Sequence, residues 1–126
     1  EARLHTAYQD LLVKAGVSDT MVVGRGFGVI RVIRNRFAEG MAKAEAEGFS
    51  DEDRKTLFMA SSLKAAAFDG NVEAGKVEAG QSTGLVSEIL PAAEIVARIA
   101  EDYAQALSDL PKPDFDSTLK EANHAG

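Results

Sequence analysis

Residues 69–86 read DGNVEAGKVEAGQSTGLV and hold four of the chain's eleven glycines. Glycine at this density marks tight turns or a backbone that approaches something closely. VEAG occurs twice in the stretch, at 72–75 and 77–80, an echo too short for a solenoid. At its start, Asp69-Gly70-Asn71 is a turn triplet of residues that tolerate positive φ and therefore stop what precedes them. After it comes a mainly apolar run over 85–90, and then Pro91 in a position suited to the first turn of a helix.

The elements on either side follow from apolar spacing. Downstream, Ala92, Ile95, Ile99, Tyr103, Ala106 and Leu110 share one face, which predicts a closing amphipathic helix that packs on something. Upstream, Ser50 precedes Asp51-Glu52-Asp53, the arrangement that the unbonded N–H groups and the dipole of a helix start prefer. A long helix is expected from there through Leu57, Phe58, Ser61, Ala65 and Phe68. Ile30, Ile33, Phe37 and Met41 predict another, from Val29 to about Gly48. Residues 20–24, short, partly β-branched and stopped by glycine, suit one buried strand with no obvious partner. Leu4, Tyr8, Leu11, Leu12 and Ala15 give a first helix, with Gly16 expected as its left-handed cap.

At 126 residues the chain is one domain with one core, expected over 1–110, with a flexible tail over 111–126. Because the first residue is Glu and a helix begins almost at once, we read the sequence as an excised piece. Apolar residues make up 45% and charged residues 27%, which excludes wholesale disorder and fibrous repeats. With no Cys there are no disulfides, thiolate nucleophiles or cysteine-ligated metal centres. No apolar run approaches the roughly 20 residues of a membrane span, so no membrane partner is expected.

The net charge of −6 is unevenly spread. Residues 68–126 carry four basic against eleven acidic residues, whereas residues 20–37 contain Arg25, Arg31, Arg34 and Arg36 and no acid. With 6% aromatics, no Trp and an acidic balance, nucleic acid is not an expected partner. The arginines fall off the apolar stripe of the expected helix, so a solvated helix face is the preferred reading over an anion site. They could alternatively steer anionic substrates.

Gly24-Arg25-Gly26-Phe27-Gly28 imitates a dinucleotide-binding loop. A true fingerprint places its third glycine three residues after the second, inside a βαβ unit. Here the interval is two and no second strand is expected, so we read a structural turn. Neither His5, at a helix start, nor His124, in the tail, has a partner for general-base work. No metal-ligand spacing occurs, and carboxylate groups such as Glu101-Asp102 belong to helix starts or solvated faces. No complete catalytic site is expected within these residues.

Three segments taken together resemble one family. Asp69-Gly-Asn-Val-Glu73 followed by Val77-Glu-Ala-Gly-Gln-Ser-Thr-Gly-Leu-Val86 is similar to the "GDVE…AGQxxGLV" segment that precedes the last helix of the nitronate monooxygenases, formerly 2-nitropropane dioxygenases, and of the related flavin-dependent enoyl-acyl carrier protein reductases. Asp19-Thr-Met-Val-Val-Gly-Arg25 with Arg31-Val-Ile-Arg-Asn-Arg36 resembles the family's "DTVVTGR…RVxRN". Glu1-Ala2, His5 and Tyr8 look like the loop and helix after its last barrel strand.

This resemblance implies an α-dominated α/β chain: the C-terminal helical cap and closing helix of an FMN-binding TIM-barrel enzyme, with most of the barrel absent. It implies a cytoplasmic FMN-dependent oxidoreductase acting on a small-molecule substrate. The reaction would be oxidation of alkyl nitronates with O₂, with an enoyl-thioester reductase or a non-catalytic helical interaction module as alternatives. The catalytic base and most flavin contacts would lie upstream, so the chain alone should be inactive and should not take up FMN. By the same resemblance, Glu78, Ala79, Gly80 and Gln81 approach the flavin, with Gly80 there for want of a Cβ and Glu78 departing from the small or apolar residue expected. A plain turn before the last helix is the competing reading of 78–81. The expected partner is the missing barrel portion or a second copy of the chain.

Overall fold

In the computed structural model, residues 3–111 are described. They form two compact units that divide between Ile89 and Leu90. The expected tail, apart from Pro111, lies outside the described residues, as do Glu1 and Ala2.

The first unit begins with α1 (Thr6–Lys14). His5 caps it, its Nδ1 accepting a 3.2 Å hydrogen bond from the Ala7 N–H. Gly16 is not its left-handed cap. Positive φ occurs among the described residues only at Gly24, Gly26, Gly48 and Gly70. The Asp19 carboxylate instead accepts the Gly16 N–H at 2.7 Å, and this side-chain bond turns the chain in place of the backbone inversion.

The predicted strand is β1 (Thr20–Val23). Contrary to expectation it has a partner, β2 (Ile30–Ile33), paired antiparallel with Thr20 opposite Ile33 and Val23 opposite Ile30. The helix expected from Val29 therefore begins only at Arg36. Ile30 and Ile33 fit a helical interval, but the β-branched run Val29-Ile30, Val32-Ile33 favours a strand once a turn delivers it to β1. That turn is the glycine loop. Gly24 has φ of 81°, and a Cβ there would sit 2.3 Å from the Gly28 carbonyl oxygen. Glu45 holds the loop from outside, its carboxylate accepting the N–H groups of Gly24 (2.9 Å) and Arg25 (3.3 Å). The resemblance to a dinucleotide loop thus ends in a hairpin.

Asn35 starts α2 (Arg36–Ala46) by accepting the Ala38 N–H at 3.0 Å, while its amide donates to the carbonyls of Val72 (2.8 Å) and Gly75 (2.9 Å). Ser50 caps α3 (Asp51–Met59) as expected. The single helix predicted over 50–68 is in fact two. Ser62 caps a new one, α4 (Leu63–Ala67), and Ser61 donates to the Ala74 carbonyl at 2.6 Å. Two serines with nearby backbone partners offset the helical bonds that the break gives up.

The glycine-rich stretch supplies a third extended segment. Ile33 N–H donates to the Val77 carbonyl (2.8 Å) and Ala79 N–H to the Arg31 carbonyl (3.2 Å), with Val32 opposite Glu78. Because side chains alternate on extended backbone, this three-stranded strip has two faces. On one, Ile33 and Val77 join Tyr8, Ala15, Ala66 and Ala67. On the other, Val32 joins Val23, Phe37, Ala38 and Met41, with Phe27 and Phe58 packed alongside.

The second unit contains α5 (Ala92–Ser108), with Pro91 as its N-cap, one place earlier than the expected first-turn position. No residue of α5 is buried, and Ile95, Val96, Ile99, Tyr103 and Leu107 are exposed. No helix is long and apolar enough to cross a membrane among the described residues.

Candidate functional site

Residues 78–81 continue the third extended segment into a single-turn 3₁₀ helix, Gln81–Leu85. Their backbone is fixed at three points. The Glu78 carbonyl accepts the Tyr8 hydroxyl at 2.8 Å, the Ala79 N–H is bonded to β2, and the Gly80 carbonyl accepts the Thr83 N–H at 3.1 Å. Glu78, Gly80 and Gln81 are exposed and Ala79 is half-buried. The four predicted residues therefore form one hydrogen-bonded bend, with Ala79 against the Tyr8 cluster and the other three exposed.

Within the chain itself, Gly80 has no conformational or steric need to be glycine. Its φ is −76°, and a Cβ would meet only the Ser82 Oγ, at an ordinary 3.5 Å. Nothing among the described residues requires glycine there. Gly84 is the constrained position: a Cβ would fall 2.4 Å from the Val17 nitrogen, so it pins the 3₁₀ turn to the end of α1. Space beside Gly80 is open, and a fixed backbone edge next to open space fits the side of a planar ring. These four residues form no cradle for a flavin's phosphate.

Two titratable groups adjoin the bend whose contact with it the sequence pattern does not show. Tyr8 is 5% exposed, and burial first, then the negative charge of Glu78, raise its pKa above the usual 10.0. Lys76 is 8% exposed, with its ammonium 3.5 Å from the centre of the Phe58 ring and 5.7 Å from that of Phe37. Burial lowers its pKa from 10.5, and Glu78 acts in the opposite sense. Tyr8 reads in the sequence as one apolar position of the first helix, and Lys76, between the two VEAG copies, attracts no reading there. Only the pairing of distant segments gives them a role.

The arginines do not share a helix face. Arg25 pairs with Glu45 at 2.9 Å, and Arg31, on β2, donates to the Thr20 hydroxyl at 3.1 Å. Arg34 follows β2 and Arg36 opens α2, and the two line a groove of about 360 Å³ with Leu11, Asn35, Val72 and Glu73. No group of three or more potential metal ligands occurs among the described residues.

No family model and no curated protein matches the chain. Among solved structures, FabK from Thermotoga maritima superposes with a TM-score of 0.74 and 31% identity over 83% of this chain. The chain matches part of FabK. A single-substitution mutant of that FabK gives a TM-score of 0.65 and 30% identity over the same share. The chain spans about a third of the FabK chain, 33% in the first case and 30% in the second. Its fold class is accordingly that of a mostly helical α/β chain with a two-stranded sheet, corresponding to one part of the FabK TIM barrel.

Proposed function

We propose that the chain is the segment of an FMN-dependent enoyl-thioester reductase that closes over the flavin, with residues 78–81 as the edge presented to it. The observation that carries this reading is the 31% identity with FabK at a TM-score of 0.74. FabK is a flavin-dependent enoyl-acyl carrier protein reductase. Its likeness supports enoyl-thioester reduction over nitronate oxidation, for which no residue or match speaks separately.

Bound FMN would supply a hydride equivalent to the substrate's carbon–carbon double bond. The chain's own contribution is positional. Tyr8 and β2 hold the bend at 78–81 so that its backbone excludes water from one edge of the ring, and Gly80 lets that backbone come near. The exposed apolar stripe of α5, including Ile95, Ile99 and Tyr103, seats on the rest of the barrel, since burial contributes about 25 cal/mol per Å² of apolar surface. The partner is thus the remaining barrel.

The test is a single-turnover experiment on the protein that carries this segment, loaded with FMN and reduced without oxygen. We expect a short enoyl thioester to reoxidise it rapidly. Rapid nitronate consumption with O₂ and no response to the thioester would reverse the assignment.

A further inference from the structure

Phe37, Gly40 and Met41 on α2, Leu57 and Ala60 at the end of α3, and Ala74 wall a cavity of about 240 Å³ that the proposed reaction does not use. Phe37 and Met41 are buried whereas Leu57 is exposed, so the walls run from the core to the surface. The room in it depends on Gly40. That residue lies inside α2 without a positive φ, in a place where glycine is destabilising relative to alanine, and a Cβ there would meet nothing within 4 Å. Neither the backbone nor a neighbour calls for glycine, and its effect is to leave the space open.

Two polar side chains complete the lining. The Ser61 hydroxyl is occupied, donating to the Ala74 carbonyl at 2.6 Å. Arg36 is anchored at the start of α2 by its backbone N–H, 3.0 Å from the Glu73 carbonyl, while its guanidinium has no hydrogen bond or ion pair among the described residues. It stands at the rim, where it also borders the groove of Arg34 and Glu73. No acidic residue lines the cavity itself among the described residues.

An apolar space with one polar group to fix orientation is the arrangement of a small-molecule site. A guanidinium pairs bidentately with a carboxylate, and without a second cation in the lining a single charge is matched better than a phosphate dianion. An apolar side chain inserted from elsewhere would fill the space and leave the guanidinium unpaired. At the roughly 30 Å³ that one water-sized group occupies, the cavity takes about eight non-hydrogen atoms.

We propose that this cavity binds a short unbranched carboxylate of the size of hexanoate, its chain between α2 and α3 and its carboxylate on Arg36. This site is separate from residues 78–81 and does not rest on the function proposed above.

Methyl NMR of the full protein titrated with hexanoate tests it. We expect the Met41 methyl to shift saturably while that of Met59, which does not line the cavity, stays where it is. Hexan-1-ol, which keeps the chain and loses the charge, and acetate, which does the reverse, should each bind at least about tenfold more weakly. Arg36→Gln should weaken hexanoate by a similar factor and leave hexan-1-ol unchanged. Gly40→Leu, which puts a side chain into the space, should abolish binding of both, and Gly40→Ala should show a smaller loss in the same direction should the Leu variant fail to fold. The absence of a Met41 shift at about 10 mM hexanoate, a shift that survives the substitutions, or tighter binding of hexyl phosphate would each overturn the proposal.

Discussion

The Tyr8 hydroxyl donates a 2.8 Å hydrogen bond to the Glu78 carbonyl, joining the first helix to the glycine-rich bend across seventy residues of sequence. Replacing Tyr8 with Phe leaves that carbonyl without its partner. Chemical denaturation should show a loss of about 1 kcal/mol. The larger change should be local, with faster amide exchange at Ala79.

Alkali should reveal the same residue. Burial and the Glu78 charge raise the Tyr8 pKa above 10.0, so above that pH the folded chain keeps a proton that the unfolded chain has lost. Stability contributed by Tyr8 is therefore complete below pH 10 and declines as pH rises through the folded-state value. Denaturation midpoints measured from pH 9 upward should fall in the wild type more steeply than in Tyr8→Phe.

Lys76 should act with the opposite sign. Its pKa lies below 10.5 in the folded state, chiefly through burial, so just below 10.5 the folded chain binds fewer protons than the unfolded one. Stability from this group accordingly rises with pH in that window. Subtracting the Lys76→Met curve from the wild-type curve should give a rising limb below pH 10.5, and a flat difference would show that the ammonium is not desolvated.

Glu45 closes the hairpin loop through three groups, the N–H of Gly24, the N–H of Arg25 and the Arg25 guanidinium. The ion pair is largely exposed on the arginine side and contributes little by itself. Glu45→Ala should nevertheless cost about 1–3 kcal/mol, because a charged acceptor of two backbone donors is lost. Arg25→Ala should cost much less, and thermal melting of the two variants distinguishes these contributions.

How far the sequence disclosed this arrangement depended on the distance over which each element is decided. Ser50 and the acids after it act within one helical turn, so α3 was placed correctly at its start. The three-residue spacing of Ile30 and Ile33 fits a helical face, and the strand pairing that overrides it needs Gly24 and Gly26 at positive φ first. The break at 60–62 was invisible for a related reason: Ser61 and Ser62 bond to Ala74 and Lys76, which lie more than ten residues away. At the candidate site, the turn at 78–81 is legible through a family pattern. The groups that fix it are not, since Tyr8 and Lys76 gain their roles only when α1, β2, α3 and the third segment meet.

Gly80 is the most direct point of test, since nothing in the described residues requires it to be glycine. The decisive measurement is FMN affinity by fluorescence titration of the flavin-binding protein carrying Gly80→Val, alongside its melting temperature. If the bend borders the ring, affinity falls by at least about tenfold, or roughly 1.4 kcal/mol, while melting of the flavin-free protein is unchanged. Affinity equal to the wild type's would show that residues 78–81 face away from the flavin and would contradict the site proposed for this chain.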